Sequence, residues 1–402
     1  MCCGCGTCAS ICPVSAISME LRADGFYHPT LNKTSCINCG KCINTCPMVH
    51  YPRFSLEDHF SHCVYGHSPD EKFRSSAASG GLLSEILVSL IEGGDIDAAL
   101  VVKIKPGSTL PETIIAKTAQ DIRNSAKSVY FPVPVNEALR KIKDANIKVA
   151  VVGLPCQVQG IRLLQQYEKW AENNIKYVFG LVCNHMPSAK ATEYLLYNCG
   201  IENPESIEYR GGGWPGYMTF SDLEKTVKLP FRKAVSSGFG QLFKMNACEC
   251  CQDPFASEAD ASFSDAYFLQ NDPEKMGKGQ TFAIIRNDSL ALKIKGNPSL
   301  SLKSVVYNDA IRKSFQPLWT RKEFTGKNHL LFFQLLHPRL LGKVSTKRFL
   351  KEVVCSSFLL KLALKTFAKK AISCKKKIWK LAFRMLSKRY GLTMDITYKN
   401  KL

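Results

Sequence analysis

The chain has 402 residues, of which 45% are hydrophobic, and it carries 18 cysteines and a formal net charge of +20. This length can bury a large core, and it suggests two or three domains. No apolar run reaches the roughly 18–20 residues that span a bilayer, which argues against a transmembrane protein. So many cysteines suit a small secreted disulfide protein. Because no secretory segment precedes the first cysteine, at residue 2, we instead expect a reducing compartment, most simply the cytoplasm.

Two cysteine runs occupy the first 50 residues, and both have the spacing C-x2-C-x2-C-x3-C-P. Bacterial ferredoxins use this spacing to bind [4Fe–4S] clusters, with the fourth cysteine of each run binding the other cluster. The predicted ligands of the first cluster are Cys2, Cys5, Cys8 and Cys46, and those of the second are Cys36, Cys39, Cys42 and Cys12. Cys3 is an alternative to Cys2, although the spacing favours Cys2. We therefore predict a ferredoxin-type domain over residues 1–50.

The next segment, residues 51–72, is polar and weakly patterned, and we interpret it as a linker. Ser79-Gly80-Gly81 then precedes an apolar-periodic helix predicted over Leu82–Glu92. Backbone N–H groups at such a helix start can bind a phosphate, although an ordinary helix N-cap explains the same residues. Strands are predicted at 98–104 and 113–117, and a helix near 135–144.

Two strand–cysteine–helix units follow. The buried-strand run 147–154 leads to Cys156 and a predicted helix to residue 167, and the run 175–182 leads to Cys183 and a helix over 188–198. This alternation predicts an α/β body with a parallel sheet. It also places both cysteines just past the carboxyl ends of strands, where ligands gather in open α/β sheets.

A third cluster site is predicted from four later cysteines. Cys248 and Cys251 have the C-x2-C spacing of adjacent ligands, and Cys156 and Cys183 can converge with them at the sheet edge. The four form a candidate third [4Fe–4S] site, and ordinary buried thiols are the alternative. Cys250 leaves open whether the pair is Cys248/Cys251 or Cys248/Cys250.

Together these motifs resemble the coenzyme F-420 (deazaflavin) hydrogenase/dehydrogenase beta subunit family over roughly residues 1–310. Besides the cysteines, the shared motifs are Ser79-Gly80-Gly81, Lys127-Ser128 with Tyr130, Gly153-Leu-Pro-Cys-Gln157, Gly180-Leu-Val-Cys183, Gly213-Trp214-Pro215 and Ala259-Asp260. The resemblance divides the body into an N-terminal α/β region over 73–150 and a C-terminal domain over 151–310. Where the family often has Gly-Asp-aromatic, this chain has Ser264-Asp265-Ala266-Tyr267.

The resemblance implies a flavin, usually FAD, beside the cluster of the later cysteines. It further implies hydride chemistry at the flavin, coupled to one-electron transfer through the ferredoxin clusters. The candidate flavin contacts are Ser79, Gly80, Gly81, Lys127, Ser128 and Gln157. A solvated surface lysine is the alternative for Lys127. His185 is a candidate proton donor, although a lone loop histidine is more often a simple polar contact.

The residues after 310 form a basic tail. Between residues 343 and 402 lie 17 basic and two acidic side chains, so this segment holds +15 of the net charge. Apolar residues there, including Trp379, recur at helical spacing. The pattern predicts amphipathic helices on an anionic membrane surface, and hence a peripheral position on the inner membrane face. Helices docked on the body or on an acidic protein are the alternative. Nucleic acid is disfavoured because the aromatics lie on the apolar face.

Two functions are consistent with these features. The first is an iron–sulfur flavoprotein oxidoreductase that exchanges electrons with ferredoxin or another redox protein, and hydride with a deazaflavin or another organic substrate. The second is a non-catalytic, polyferredoxin-like electron-transfer subunit of a hydrogenase or dehydrogenase. The large α/β body favours the first, because two ferredoxin clusters need only about 50–60 residues.

Overall fold

The computed structural model describes residues 1–50, 62–105, 108–237, 239–240, 243–315 and 318. The predicted amphipathic helices of the basic tail lie outside these residues. Among the described residues, no helix combines the length and hydropathy needed to cross a bilayer.

The described strands belong to three sheets. They are β1 (Ile17–Leu21), β2 (Tyr27–Leu31), β3 (His62–His67), β4 (Ala98–Ile104), β5 (Pro111–Ala116), β6 (Val149–Gly153), β7 (Ile175–Leu181), β8 (Ser206–Gly211), β9 (Tyr217–Ser221), β10 (Thr226–Pro230), β11 (Ala261–Asp265), β12 (Thr281–Ile285) and β13 (Ser301–Val305). The α-helices are α1 (Thr7–Ile11), α2 (Lys41–Asn44), α3 (Glu71–Ser76), α4 (Leu82–Glu92), α5 (Ala119–Asn124), α6 (Pro155–Tyr167), α7 (Lys169–Asn174), α8 (Ala189–Cys199), α9 (Phe231–Ser236), α10 (Asn246–Cys250), α11 (Pro273–Met276), α12 (Asp288–Gly296) and α13 (Asp309–Ser314).

A large mixed sheet forms the body, in the order β13-β3-β12-β11-β7-β6-β4-β5. Its centre, β11-β7-β6-β4, is parallel as the alternating pattern predicts, whereas the outer strands pair antiparallel. The reason is visible at β4 and β5, which are joined by a short turn closed by the Lys105 N–H donating to the Leu110 carbonyl at 2.9 Å. A connection this short cannot return a parallel strand.

Part of the segment interpreted as a linker is a strand. Residues 62–67 form β3, which lies inside the sheet between β13 and β12. Cys63 and Val64 are buried, but polar neighbours hide the strand pattern in the sequence. Gly66 passes so close to the next strand that an added Cβ would stand 2.2 Å from the Ser301 carbonyl oxygen. Residues 51–61 lie outside the described residues.

Helices cover both faces of the large sheet. Leu82 and Ile86 of α4 pack on one face, and Val158 and Ile161 of α6 pack on the other. The helix predicted near 135–144 is a 3-10 helix over Val135–Ile142, and it joins α6 on the second face. A smaller antiparallel sheet, β10-β9-β8, forms a separate apolar cluster with α8 and α9.

The ferredoxin-type region consists of the β1–β2 hairpin with α1 and α2, and it is fixed to the body through buried polar contacts. The Asn136 side chain donates to the Thr7 hydroxyl and to the Gln157 carbonyl, both at 2.8 Å. Arg140 donates to the Ala9 carbonyl at 2.7 Å. The first cysteine run is therefore held against the strand ends that carry the later cysteines.

Candidate iron–sulfur and flavin site

The two ferredoxin runs repeat one local geometry. Gly6 precedes α1 and Gly40 precedes α2, and both glycines have left-handed backbone conformations, with φ of 89° and 74°. This conformation suits glycine because it has no Cβ. The chain therefore turns sharply inside each run before its short helix.

The two runs lie close together, and thiols of one run interact with thiols of the other. We call Cys2, Cys5, Cys8 and Cys46 the inner quartet, and Cys12, Cys36, Cys39 and Cys42 the outer quartet. Burial, followed by the thiols of Cys5, Cys2, Cys46 and Cys42, raises the pKa of Cys8 to about 12. Burial chiefly raises the pKa of Cys42, and the neighbouring Cys39 and Cys12 add to the rise. Cys46 thus lies near the first run and Cys12 near the second.

Backbone amides point at several of these sulfurs. Gly4 N–H donates to the Cys2 sulfur at 3.3 Å, Ala16 N–H to the Cys12 sulfur at 3.2 Å, and Met186 N–H to the Cys248 sulfur at 3.3 Å. Hydrogen bonds to ligand sulfurs are one of the factors that set cluster potentials. The donor set therefore fits thiolate ligands of iron–sulfur clusters.

The four later cysteines line one cavity. We call Cys156, Cys183, Cys248 and Cys251 the body quartet, and they line it together with Gln157, Met186 and Met245. Cys156 lies in the first turn of α6 and Cys183 follows β7, and the preceding strands β6 and β7 are parallel neighbours. Cys251 ends α10 and donates to the Asp253 carbonyl at 3.5 Å. The Cys250 side chain lies outside the described residues.

Among the described residues, no three His, Cys, Asp or Glu side chains converge closely enough to bind one metal ion. A four-iron cubane would take one sulfur from each of the four cysteines that line this cavity.

Cys3, which the ferredoxin spacing left as an alternative to Cys2, lies at the candidate site of the later cysteines. It lines the cavity of the body quartet, and the thiols of Cys156 and Cys5 are its neighbours. These two contacts and burial raise the pKa of Cys3 well above its usual range, while the contact with Cys3 chiefly lowers the pKa of Cys5 to about 7. The signal in the sequence was the extra thiol beside Cys2.

The six candidate flavin contacts do not meet in one cavity. Lys127 and Ser128 line a cavity of about 540 Å³, which lies within the ~300–1,000 Å³ range of small-molecule sites. Gln157 lines the cysteine cavity instead. Its side chain accepts from Leu154 N–H and donates to the Val133 carbonyl, both at 2.8 Å, so it holds the start of α6.

The larger cavity has a mainly basic lining. Lys72, Lys103, Arg123 and Lys127 face it with Asp70 and Glu208, and Phe73 and Tyr209 add aromatic surface. Lys127 pairs with Glu208 at 2.9 Å and has a left-handed backbone, with φ of 91°. This lining fits an anionic ligand with an aromatic part, as a flavin nucleotide is. Lys127 is therefore a half-buried, paired side chain rather than a freely solvated lysine.

The Ser79-Gly80-Gly81 loop is fastened to the end of the sheet. The Ser79 hydroxyl donates to Asp265, and the Ser79 carbonyl accepts from the Thr281 hydroxyl at 2.6 Å. Arg210, which is buried, pairs with Asp265 at 3.5 Å and donates to the Ala78 carbonyl at 2.7 Å. Asp265 of the divergent Ser-Asp-Ala-Tyr element thus holds this loop. Its role is evident only in the folded structure.

His185 stands between Cys183 and Met186, which both line the cysteine cavity. Its ring faces Gly240, where an added Cβ would stand 2.3 Å from His185 Nε2. His185 is not among the residues that line either described cavity. The candidate role as proton donor thus receives no support from its position.

Comparisons with known proteins agree with these motifs. Residues 63–140 match the N-terminal part, and residues 147–296 the C-terminal part, of the coenzyme F420 hydrogenase/dehydrogenase beta subunit family. Residues 1–49 match a 4Fe-4S dicluster domain. The two beta-subunit matches together cover more than half of the chain.

Similar proteins come from methanogenic archaea. The coenzyme F420-dependent sulfite reductase of Methanocaldococcus jannaschii is 28% identical over 65% of this chain and 42% of its own length. One subunit of the F(420)H(2) dehydrogenase of Methanosarcina mazei is 26% identical over 46% of this chain and 53% of its own length. The chain thus spans about half the length of these relatives.

One solved structure has the same fold. A chain of the F420-reducing [NiFe] hydrogenase complex from Methanosarcina barkeri superposes with a TM-score of 0.52 at 19% identity. The match covers 67% of this chain and 94% of that one.

Proposed function

Because the chain belongs to the coenzyme F420 hydrogenase/dehydrogenase beta subunit family, we propose that it is an iron–sulfur flavoprotein oxidoreductase with three [4Fe–4S] clusters and one flavin. The convergence of the body quartet on one cavity, against the ferredoxin-type region, carries this proposal. When bound, the clusters would supply single electrons and the flavin would exchange hydride with an organic substrate.

The chain's own residues hold the inner and body quartets side by side. Asn136 joins α1 to the start of α6 through its bonds to Thr7 and Gln157. Gln157 in turn fixes the turn that carries Cys156. Short, rigid separations favour electron transfer, and this buried network would keep the two quartets at a fixed separation.

For the flavin, we propose the basic cavity lined by Lys127 and Ser128. Its lysines and Arg123 would bind the phosphates, and Tyr209 and Phe73 would pack against the ring systems. Ser79-Gly80-Gly81 would shape the neighbouring backbone rather than bind through side chains. The names of the relatives support a deazaflavin-type substrate.

A second candidate is a flavin-free electron-transfer subunit. Two observations favour this candidate. The Gln157 and Ser79 side chains form hydrogen bonds within the protein instead of facing a ligand, and the predicted flavin contacts are divided between two places. In this case the body quartet would still bind a cluster.

Cofactor analysis of the anaerobically purified protein separates these candidates. We expect about 12 irons, as much acid-labile sulfide and one flavin per chain. The variant Cys156→Ala should retain about 8 irons, whereas Cys199→Ala, which changes a half-buried thiol in α8, should retain all of them. Twelve irons without flavin would support the second candidate, and about 8 irons in the unmodified protein would contradict the third cluster.

A flavin in the basic cavity should depend on Lys127. We expect Lys127→Ala to lower the flavin content several-fold, because the cavity loses one of its positive charges. Lys143→Ala changes an exposed lysine outside the cavity lining and should leave flavin unchanged. Equal flavin in both variants would place the cofactor elsewhere.

We also propose a redox protein as partner at the outer quartet, where Cys39 is exposed. For the basic tail, the +15 charge between residues 343 and 402 supports binding to an anionic membrane surface. Sedimentation with vesicles rich in anionic lipid, compared with neutral vesicles, tests this. We expect binding only to the anionic vesicles, and loss of that binding when the tail is removed.

A further inference from the structure

Glu85 is a buried carboxylate that the proposed function leaves unused. It lies in the first turn of α4, shortly after the Ser79-Gly80-Gly81 loop, and only 8% of its side chain is exposed. Burying a carboxylate is costly unless it is paired and hydrogen-bonded. Its partner is Arg123 of α5, whose Nη2 stands 3.1 Å from Glu85 Oε2. Because Arg123 lines the basic cavity, this buried charge is in direct contact with the proposed flavin site.

Ser68 connects the Glu85–Arg123 pair to the Ser79-Gly80-Gly81 loop. Ser68 is fully buried, and its hydroxyl donates to Glu85 Oε1 at 2.8 Å. Its backbone N–H donates to the Gly80 carbonyl at 2.6 Å. The loop itself lines neither described cavity. It is therefore joined to the basic cavity through Ser68, Glu85 and Arg123.

The loop also supports an aromatic side chain of the same cavity. A Cβ added at Gly81 would stand 2.8 Å from the ring of Phe73, so the ring packs where only glycine leaves room. The Arg123 guanidinium carbon lies 5.8 Å from the centre of this ring. Arg123 is thus restrained by a carboxylate and by an aromatic face, and both restraints lead back to the loop.

The contacts with Glu85 leave part of the Arg123 guanidinium for a ligand. Both hydrogen bonds to the carboxylate use Nη2, at 3.1 and 3.4 Å, and they do not use Nη1. The Arg123 side chain is 38% exposed. A guanidinium binds phosphate oxygens through several N–H groups in one plane, so its orientation decides whether it can do so.

We propose that Glu85 is a positioning residue that, supported by Ser68, orients Arg123 toward the phosphates of a flavin nucleotide in the basic cavity. A long arginine side chain loses rotamer freedom when it binds a ligand, and the pair with Glu85 removes much of that freedom beforehand. This inference rests on the proposed function, because it requires the flavin to lie in this cavity. It gives the Ser79-Gly80-Gly81 loop an indirect role in binding.

The experiment measures flavin binding by the full chain after bound flavin has been removed, with iron content verified in every variant. The probes are FAD, which carries two phosphates, and riboflavin, which carries none, and quenching of flavin fluorescence gives both dissociation constants. We expect Arg123→Ala to weaken FAD binding about tenfold and Glu85→Ala about fivefold. Riboflavin binding should stay within about twofold in both, because the missing contact is with phosphate.

A double variant shows whether Glu85 acts through Arg123. Once Arg123 is replaced by alanine, Glu85→Ala should weaken FAD binding no further. Glu85→Gln keeps the shape and a hydrogen-bond acceptor but loses the charge, so it should weaken FAD binding about threefold, and not at all beside Arg123→Ala. This variant provides the test if Glu85→Ala does not fold. The matched control is Glu92→Gln, which changes an exposed carboxylate of α4 outside the cavity lining and should leave binding unchanged.

The outcomes separate this inference from the proposed function. Equal weakening of FAD and riboflavin binding in the Glu85 variants would overturn the inference, because Glu85 would then only support the fold. Additive effects in the double variant would overturn it too, as would unchanged FAD binding in Arg123→Ala when Lys127→Ala weakens it. An unmodified protein that binds no flavin, or FAD binding that is unchanged in Lys127→Ala, would instead overturn the proposed flavin site, and this inference with it.

Discussion

The two cysteine runs have the same spacing but different surroundings. Thr7, Ala9, Ser10 and Ile11 of α1 are buried, and the helix packs against the 3-10 helix over Val135–Ile142 and against α6. No residue of α2 is buried, and Ile43 is 58% exposed. One sequence motif has thus produced an inner site enclosed by the body and an outer site open to solvent.

This difference gives the proposed electron path a direction in space. Solvent exposure is one of the factors that set cluster potentials, so two sites with identical ligands need not have identical potentials. The exposed outer quartet suits exchange with a redox partner. The inner quartet, which the Asn136 hydrogen bonds hold against the start of α6, suits transfer toward the body.

The largest expected effect comes from removing the fourth cysteine of each run. Because Cys46 lies with the first run and Cys12 with the second, Cys46→Ala should disturb the inner cluster and Cys12→Ala the outer cluster. Each variant should lose up to about four irons. Iron release to a chelator in air should be faster for the outer cluster than for the inner one, so the ferredoxin-type cluster that remains in Cys46→Ala should be the labile one. The opposite assignment would contradict the ligand exchange.

The next effect concerns the glycines before α1 and α2. Gly6→Ala and Gly40→Ala both force alanine into a left-handed backbone, at about 1–2 kcal/mol each. At Gly6 the added Cβ would also stand 2.6 Å from the Glu137 nitrogen, whereas at Gly40 it meets nothing within 4 Å. We expect Gly6→Ala to cost about 4 kcal/mol of unfolding free energy, and Gly40→Ala about 1 kcal/mol. Urea unfolding measures both, and equal losses would contradict the difference in packing.

Asn136→Ala should be less destabilising than Gly6→Ala. It removes two hydrogen bonds and leaves the Gln157 carbonyl without this donor in a buried place. We expect a loss of about 3 kcal/mol. The matched control is Asn44→Ala, which changes an exposed residue of α2 and should stay within about 0.5 kcal/mol. A small effect at Asn136 would mean that the inner run is not held by this residue.

The sequence predicted the features of the fold that depend on residue spacing and hydrophobic periodicity. Helix α4 and strand β4 have the predicted bounds, and the parallel β6–β7 pair places Cys156 and Cys183 at one sheet edge, as expected. The strand β3 was missed because its pattern is broken by polar residues. Strand β5 was predicted, but its antiparallel direction was not, because the length of the turn after β4, not strand periodicity, decides it.

Contacts between distant segments could not be predicted from the sequence. Nothing in the sequence near Asp265 indicates that it pairs with Arg210 and holds the Ser79 loop. The sequence likewise does not distinguish a Gln157 that binds a cofactor from one that caps a helix. Spacing assigned Cys2 to the first run but could not show that the Cys3 side chain lines the cavity of the body quartet. Such roles depend on the direction of side chains, which only the folded chain fixes.

The smallest expected effect concerns the ion pair between α2 and the body. Lys41 Nζ lies 2.7 Å from Glu168, and 44% of the Lys41 side chain is exposed, so solvent screens the pair. The hydrogen bond to Glu168 raises the pKa of Lys41, which means that the contribution is present at neutral pH and is lost as pH rises past the folded pKa, above about 10.4. Lys41→Ala should cost about 0.5 kcal/mol of unfolding free energy at pH 7.

The loss of unfolding free energy in Lys41→Ala should shrink in high salt, whereas that in Asn136→Ala should not, because buried neutral hydrogen bonds are not screened. Urea unfolding of both variants at low and high salt measures this contrast, and an equal salt response would contradict the distinction between the buried inner contact and the screened outer one.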